Sequence, residues 1–173
     1  MNTAITVAVV IVAVLAVGYL LSYNRFVSER QAVEDAWSTI DVELERRHHL
    51  VPQLVESVRA AAEHERELLT EVARRNDAAI EAPHTPAAAN TWEPPLVEGV
   101  AELVALRERY PALNSQANFL RLQGELAITE DRIAAARRFY NTRVEKLNRR
   151  VEAFPSSLVA ARHGIEQADF FDA

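Results

Sequence analysis

No cysteine occurs among the 173 residues. Disulfides, thiolate-ligated zinc, iron–sulfur clusters, thiol nucleophiles and lipidation through cysteine are all excluded. Glycine is almost as scarce, with 4 in the chain. That argues against a dinucleotide-binding or phosphate-loop α/β fold, a hairpin-rich β fold and a collagen-like one. Positive charge is in deficit, with 19 Lys and Arg against 25 Asp and Glu, a formal net charge of −6. Nucleic acid is therefore not expected as a partner. Charge of either sign is missing from the side chains of Met1 to Asn24.

What fills that uncharged start is a run of apolar residues, Ala4 to Leu21, with no polar face of the kind a soluble core helix would show. Eighteen residues of helix cover about 27 Å, close to the hydrocarbon thickness of a bilayer. Tyr19 and Tyr23 lie at its downstream end, where aromatic rings favour the headgroup zone. A cleaved signal peptide would need a basic start and a small-x-small cleavage site, and neither is present. The expectation is an uncleaved, single-pass transmembrane anchor over residues 1–24. Arg25 and Arg30 flank its downstream side, so the positive-inside rule keeps the rest of the chain, 25–173, in the cytoplasm.

Beyond the anchor the pattern is helical. Val33, Trp37, Ile40, Leu44, Val51, Val55, Val58, Ala62, Leu69 and Val72 follow one another mostly by threes and fours, the period of a coiled-coil-like seam. His48 stands where that seam expects an apolar side chain, and Glu65 fills another such position. Pro52 interrupts the backbone hydrogen bonding, and a kinked, continuous helix is favoured over a reversal there because the seam keeps its phase. Residues 82–95 hold Pro83, Pro86, Pro94 and Pro95 around three alanines, which reads as a loop, with Trp92 docked on a bundle end. A short helix over 95–109 follows, its apolar face Leu96, Val100, Leu103, Val104 and Leu106, stopped by Tyr110-Pro111.

A second long helix starts near Asn114 or Ser115 as cap. Its seam is Phe119, Leu122, Leu126, Thr129, Ile133, Ala136, Tyr140, Val144, Leu147, Val151 and Phe154, ended by Phe154-Pro155. A last short helix, Leu158 to His163, closes at Gly164, and Phe170 and Phe171 dock onto the bundle. Residues 28–81 carry 13 acidic and 7 basic side chains, whereas 115–154 carry 5 acidic and 8 basic. Opposite bias suits two long helices to lie side by side. The fold class expected is all-α, an N-terminal transmembrane helix followed by an elongated antiparallel up-and-down bundle of three to four helices.

Candidate chemistry is thin. Glu45-x-x-His48 has the spacing of di-iron bundles, but the other copy, Glu81-x-x-His84, falls in the Pro-rich stretch. His64-Glu65 begins a zincin-like string, and Leu68 stands where the second histidine is required. His48 and His49 point about 100° apart on a helix and cannot easily share a metal. The double arginines at 46–47, 74–75, 137–138 and 149–150 could hold phosphates or anionic headgroups, against the plainer reading that they pair with the many glutamates. Asn141 and Asn148 lie one heptad apart beside the second seam, where polar residues fix register.

The chain resembles the LemA family. The first matching block is Tyr23-Asn24, Arg30, Ala36-Trp37-Ser38-Thr39-Ile40-Asp41-Val42, Arg46-Arg47, Leu50-Val51-Pro52-Gln53-Leu54-Val55-Glu56 and His64-Glu65. The second is Tyr110-Pro111, Asn118-Phe119-Leu120, Leu122-Gln123, Glu125-Leu126, Thr129-Glu130, Ala136-Arg137, Tyr140-Asn141, Asn148 and Phe154-Pro155. His49 and Gln53 depart from the pattern, as does the stretch 82–95. The resemblance implies a bacterial membrane protein with one N-terminal membrane helix, a helical-bundle domain and an N-terminus outside. It supplies no catalytic residues and no cofactor. Trp37, Asp41, Arg46, Arg47, Pro52, His64, Glu65, Asn118, Gln123, Tyr140, Asn141, Phe154 and Pro155 are its signature here, structural or partner-binding. The expectation is a non-catalytic scaffold or adaptor whose partners are the membrane and membrane-associated proteins. The alternatives are a metal- or small-ligand-binding bundle, in which His48 and inward carboxylates converge, and an accessory subunit of a membrane protease or envelope-stress system.

Overall fold

Pro52 does not interrupt the first helix. In a computed structural model, which describes residues 2–173, helix α1 runs unbroken over Asn2–Arg59 with Pro52 inside it and exposed. Four more helices follow among the described residues: α2 Arg66–Glu81, α3 Pro86–Ala105, α4 Ala117–Glu152 and α5 Ser156–His163. No strand occurs among them, so the chain is all-α, as the 3–4 spacing requires. Contacts divide it into two units, residues up to 36 with 141–168, and 37–140 with 169–173.

In the first unit, Phe26, Val33 and Ala36 of α1 are buried, as are Val144 and Leu147 of α4 and Val159 and Ala160 of α5. Glu29 is buried within this unit. It receives Arg150 at 2.7 Å, Lys146 at 3.6 Å and Arg25 at 3.4 Å, and the Arg150 guanidinium also lies 5.9 Å from the Phe26 ring centre. A lone buried carboxylate would be costly, and three cations offset that cost. Gly164 ends α5 with φ 60°, a left-handed conformation that glycine adopts without a Cβ clash. Phe154, expected in the second seam, is 81% exposed, because α4 stops at Glu152 and leaves it outside the stripe.

The second unit holds the main core. Leu50, Val51, Leu54, Val55 and Val58 of α1 pack with Leu69 and Val72, Leu96 and Leu103, and Phe119, Leu122 and Leu126. Arg47 bonds Glu130 while Glu43 bonds Arg132, so α1 and α4 run antiparallel here. The chain reverses after Arg59, not at Pro52. Ala61 and Ala62 both donate to the Val58 carbonyl, and a 3-10 turn, Glu63–Glu65, leads into α2. Leu69 and Val72 therefore belong to a second helix. The apolar period crosses the reversal because both helices bury their stripe in the same core.

The stretch 82–95 is a correction. Only the residues between Glu81 and Pro86 form a loop, and Pro86 opens a helix of 20 residues. Thr85 caps it by accepting from the Ala88 amide, and Pro86 sits at the first helical position, where its missing N–H costs nothing. Three alanines of high helix propensity follow. Ala89, Glu93, Leu96, Gly99 and Leu103 then fall on one buried face. Pro94 and Pro95 are exposed and withhold N–H groups from the outer side of α3. Gly99 is where α3 meets α2: a Cβ there would lie 2.8 Å from Val72 Cγ2. Likewise α4 begins at Ala117, because Asn114 and Ser115 spend their side chains on the Arg107 and Ala112 carbonyls of the preceding turns.

Candidate functional site

The second unit carries an unusual charge in its interior. Arg47 is 2% exposed and Glu93 3%. Arg47 Nη2 lies 3.1 Å from Glu93 Oε2, and Arg47 Nη1 donates to both oxygens of Glu130, at 3.0 and 3.1 Å. His48 Nε2 is 2.8 Å from the other Glu93 oxygen. The polar interruption of the first seam at His48 thus has its counterpart in a glutamate on α3 that faces inward. One arginine ties three helices, α1, α3 and α4. A buried guanidinium suits this, since its planar fork serves two carboxylates at once.

Next to this group a cleft of about 260 Å³ opens, lined among others by Trp37, Asp41, His48, His84, Trp92 and Glu93. Its lining is mostly apolar, and its charges are matched internally. Asp41 holds His84 Nδ1 at 2.8 Å, and the His84 carbonyl accepts from the Trp37 indole at 3.1 Å. Glu45 pairs with His49 at 3.7 Å. Among the described residues no three His, Asp or Glu groups gather as a metal set. The carboxylate nearest His48 is shared with a guanidinium, whose charge opposes that of a cation ligand. Trp92 borders the cleft, lies on α3 and not in a loop, and is 44% exposed.

On the far side of Trp37 lies the segment Asp169–Ala173. Phe171 is fully buried, its ring edge-on to Trp37 at 5.6 Å, and Tyr140 meets Trp37 at the same distance. The Tyr140 hydroxyl donates to the Asp169 carbonyl at 2.7 Å. Burial first, and then the Asp169 carboxylate, push the Tyr140 phenol up to about 12. Asn90 donates to the Phe170 carbonyl and accepts from the amides of Asp172 and Ala173. Arg137 Nη1 donates to the main-chain oxygens of Asp172 and Ala173. Phe170, expected to dock beside Phe171, stays 42% exposed.

Of the signature residues, Trp37, Asp41, Arg47 and Tyr140 lie around this cleft and segment. Arg46 is half-buried beside Arg47 in sequence but makes none of these bonds. Glu65, half-buried, accepts from the Tyr110 hydroxyl at 3.0 Å and pairs with Arg109, which is why the seam tolerates it. That hydrogen bond and burial raise the Tyr110 pKa. His64 is exposed in the turn before α2, and Pro52 is exposed on α1. Asn118 accepts from Arg121 on the surface, and Gln123 is half-buried. Asn141, half-buried, and the exposed Phe154 and Pro155 lie in the first unit. There Asn148 bonds Ala168 twice, donating to its carbonyl and accepting from its amide.

The double arginines resolve individually. Arg74 and Arg75 both bond Glu71, holding its carboxyl down at about 2. Arg149 pairs with Glu145 and Arg150 with Glu29. Sequence reasoning missed Asn90 and Glu93 as site residues, and it reaches Arg137 only as half of a doublet and within a family block. The spacing Ala89, Glu93, Leu96 is the signal that would have found Glu93, had the prolines not been read as a loop.

The LemA family matches residues 36–173. Two magnetosome proteins of Paramagnetospirillum magneticum, MamQ 1 and MamQ 2, are each 22% identical, over 95% of this chain and 71% of theirs.

Proposed function

We propose that this chain, which belongs to the LemA family, is a non-catalytic adaptor held at a membrane by the start of α1. One observation carries the reading. An 18-residue window of α1 within Thr3–Arg59 has a mean hydropathy of 2.8 and none of it is buried. Left in water, such a surface forfeits about 25 cal/mol for each Å² that a partner or lipid could cover. A bilayer covers it and leaves the helix hydrogen bonds intact. Arg25 and Arg30 at its end favour a cytoplasmic bundle and an N-terminus outside, in a single pass. The internal matching of Arg47, Glu93, Glu130, Asp41 and the histidines supports a presenting surface over a reacting one. Confinement to a surface raises the effective concentration of the bundle for other membrane proteins.

The test is fractionation of cells expressing the full chain. The wild-type chain is expected to resist alkaline extraction. Val9→Asp with Val12→Asp, each costing about 2.5–3.5 kcal/mol of insertion, is expected to release it. A wild-type chain found in the soluble fraction would defeat the anchor. A reporter fused after Ala173 and active only outside would defeat the orientation.

A further inference from the structure

We propose that α5 and the turn before it form a second membrane contact, an interfacial helix that lies in the phospholipid headgroup layer beside the anchor. The proposal rests on the anchor reading above and adds a lipid-binding face to it. All of its residues belong to the first unit. The chain from the end of α4 to the end of α5 is pinned to α1 at two levels. Arg150 bonds Glu29 at 2.7 Å, and His163 Nε2 meets the Tyr19 hydroxyl at the same distance. The Tyr23 ring centre also lies 4.5 Å from that of His163. From Glu29 back to Tyr19 along α1 is about 15 Å, so the chain descends by that much toward the lipid between Arg150 and His163. Tyr19 stands inside the apolar run Ala4–Leu21, about 3 Å short of its end. The end of α5 is thus level with the edge of the hydrocarbon. Leu158 lies within about 8 Å of His163 along the helix axis, and the headgroup layer is itself about 5–8 Å deep.

What this stretch shows to its surroundings suits that layer. Phe154 is 81% exposed and Leu158 64%, as are the neighbouring anchor residues Leu20 and Leu21 at 59% and 64%. Successive residues of α5 turn by about 100°. One side therefore carries Val159 and Ala160, which are buried, and His163, which meets Tyr19. The opposite side carries Leu158, Ala161 and Arg162, all exposed. Arg162 has no ion pair among the described residues, and no acidic residue occurs between Glu152 and Glu166. Apolar side chains at the acyl boundary, with a guanidinium reaching up to phosphate, are how a short amphipathic helix lies on a bilayer. A single spanning helix can tilt toward any side, and a contact off its axis selects one. On this reading α5 sets how the first unit leans on the membrane.

The experiment uses the full chain in phosphatidylcholine vesicles, with and without a lipid that carries a nitroxide high on its acyl chain. The chain has no cysteine, so one introduced thiol carries a fluorescent probe. Leu158→Cys and Phe154→Cys report on the proposed face, and neither opens the core, since both residues are exposed. Val12→Cys lies within the apolar run, and Glu34→Cys lies about 20 Å past its end. The nitroxide is expected to quench the probes at 12, 154 and 158 at least twofold and to leave the probe at 34 nearly unchanged. Probes at 154 and 158 quenched no more than the one at 34, with the one at 12 quenched, would overturn this proposal and leave the anchor standing. An unquenched probe at 12 would overturn both. Adding Arg162→Glu to Leu158→Cys is expected to halve the quenching at 158, and equal quenching would refute the phosphate contact.

Discussion

Replacing Arg47 by methionine keeps most of the buried stem and removes the charge. What remains is Glu93, 3% exposed, with His48 Nε2 at 2.8 Å as its neighbour. Breaking a buried pair by deleting one partner costs about 3–5 kcal/mol, because the survivor keeps its desolvation penalty. The Glu130 side chain is 41% exposed, so its share of the loss is under about 1 kcal/mol. The His48 contact places the total near the low end, about 3 kcal/mol. For a chain of this length that corresponds to a fall in Tm of about 6–12 °C. Glu93→Gln should cost less, about 1–2 kcal/mol, since Arg47 still has Glu130 and a neutral amide still bonds His48. Replacing both together, Arg47→Met with Glu93→Leu, should return to within about 1 kcal/mol of the wild type, because no buried charge is left. Thermal unfolding of the full chain in detergent, followed by circular dichroism at helix wavelengths, measures all three. A loss under about 1 kcal/mol in Arg47→Met, or a double variant no more stable than Arg47→Met alone, would show that the pair is not a buried charge lock.

Two glycines on different helices should respond in opposite senses. Gly99→Ala forces a Cβ to 2.8 Å from the stiff Val72 side chain, and the cost of overpacking, about 1–3 kcal/mol, outweighs the gain of about 1 kcal/mol in helix propensity. Gly124→Ala meets nothing within 4 Å and should stabilise by about 0.5–1 kcal/mol. Unfolding of the two variants side by side checks the pair, and the same sign for both would contradict the close approach of α2 and α3. Tyr140 should lose its proton near 12, well after an exposed tyrosine. Its folded-state pKa is raised, so its contribution is fully present below about 10 and lost as pH rises from there through about 12. Ultraviolet phenolate titration of wild type against Tyr140→Phe reads this directly, and a wild-type curve lacking a late tyrosine would refute the burial.

The long helices were legible because their stripes are long. Over the α1 and α4 seams, a window of several turns averages out single misfits such as His48 and Thr129, and period alone decides. Helix ends were less legible. The reversal at Ala60–Glu65 contains no glycine or proline, and alanine there favours continuing the helix. What turns the chain is tertiary: Leu69 and Val72 are worth more against Val58 and Leu96 than on an exposed extension of α1. The stretch 82–95 failed for the converse reason. Proline in a cluster reads as punctuation, whereas Pro86 stands at the first helical position, and Pro94 and Pro95 lie on the exposed side.

The site was the least legible part, for a reason that Arg47 and Asn90 make plain. In sequence, Arg47 is one half of a charged doublet among four, and nothing local separates it from Arg46. What separates them is that position 47 turns toward α3 and α4, where Glu93 and Glu130 await it, and position 46 does not. Asn90 likewise gains its role only when a segment 80 residues later lies across it. A polar residue becomes informative when its partner is known, and these partners sit on other helices. The one early signal was His48, a polar residue at an apolar position in an otherwise regular stripe. Interior polar groups must be matched, so a misfit of that kind points to a polar partner on a facing helix. The same logic applied at Glu65 implies a donor, which is the Tyr110 hydroxyl. Breaks in a seam are therefore better pointers to the polar core of this bundle than any motif in it.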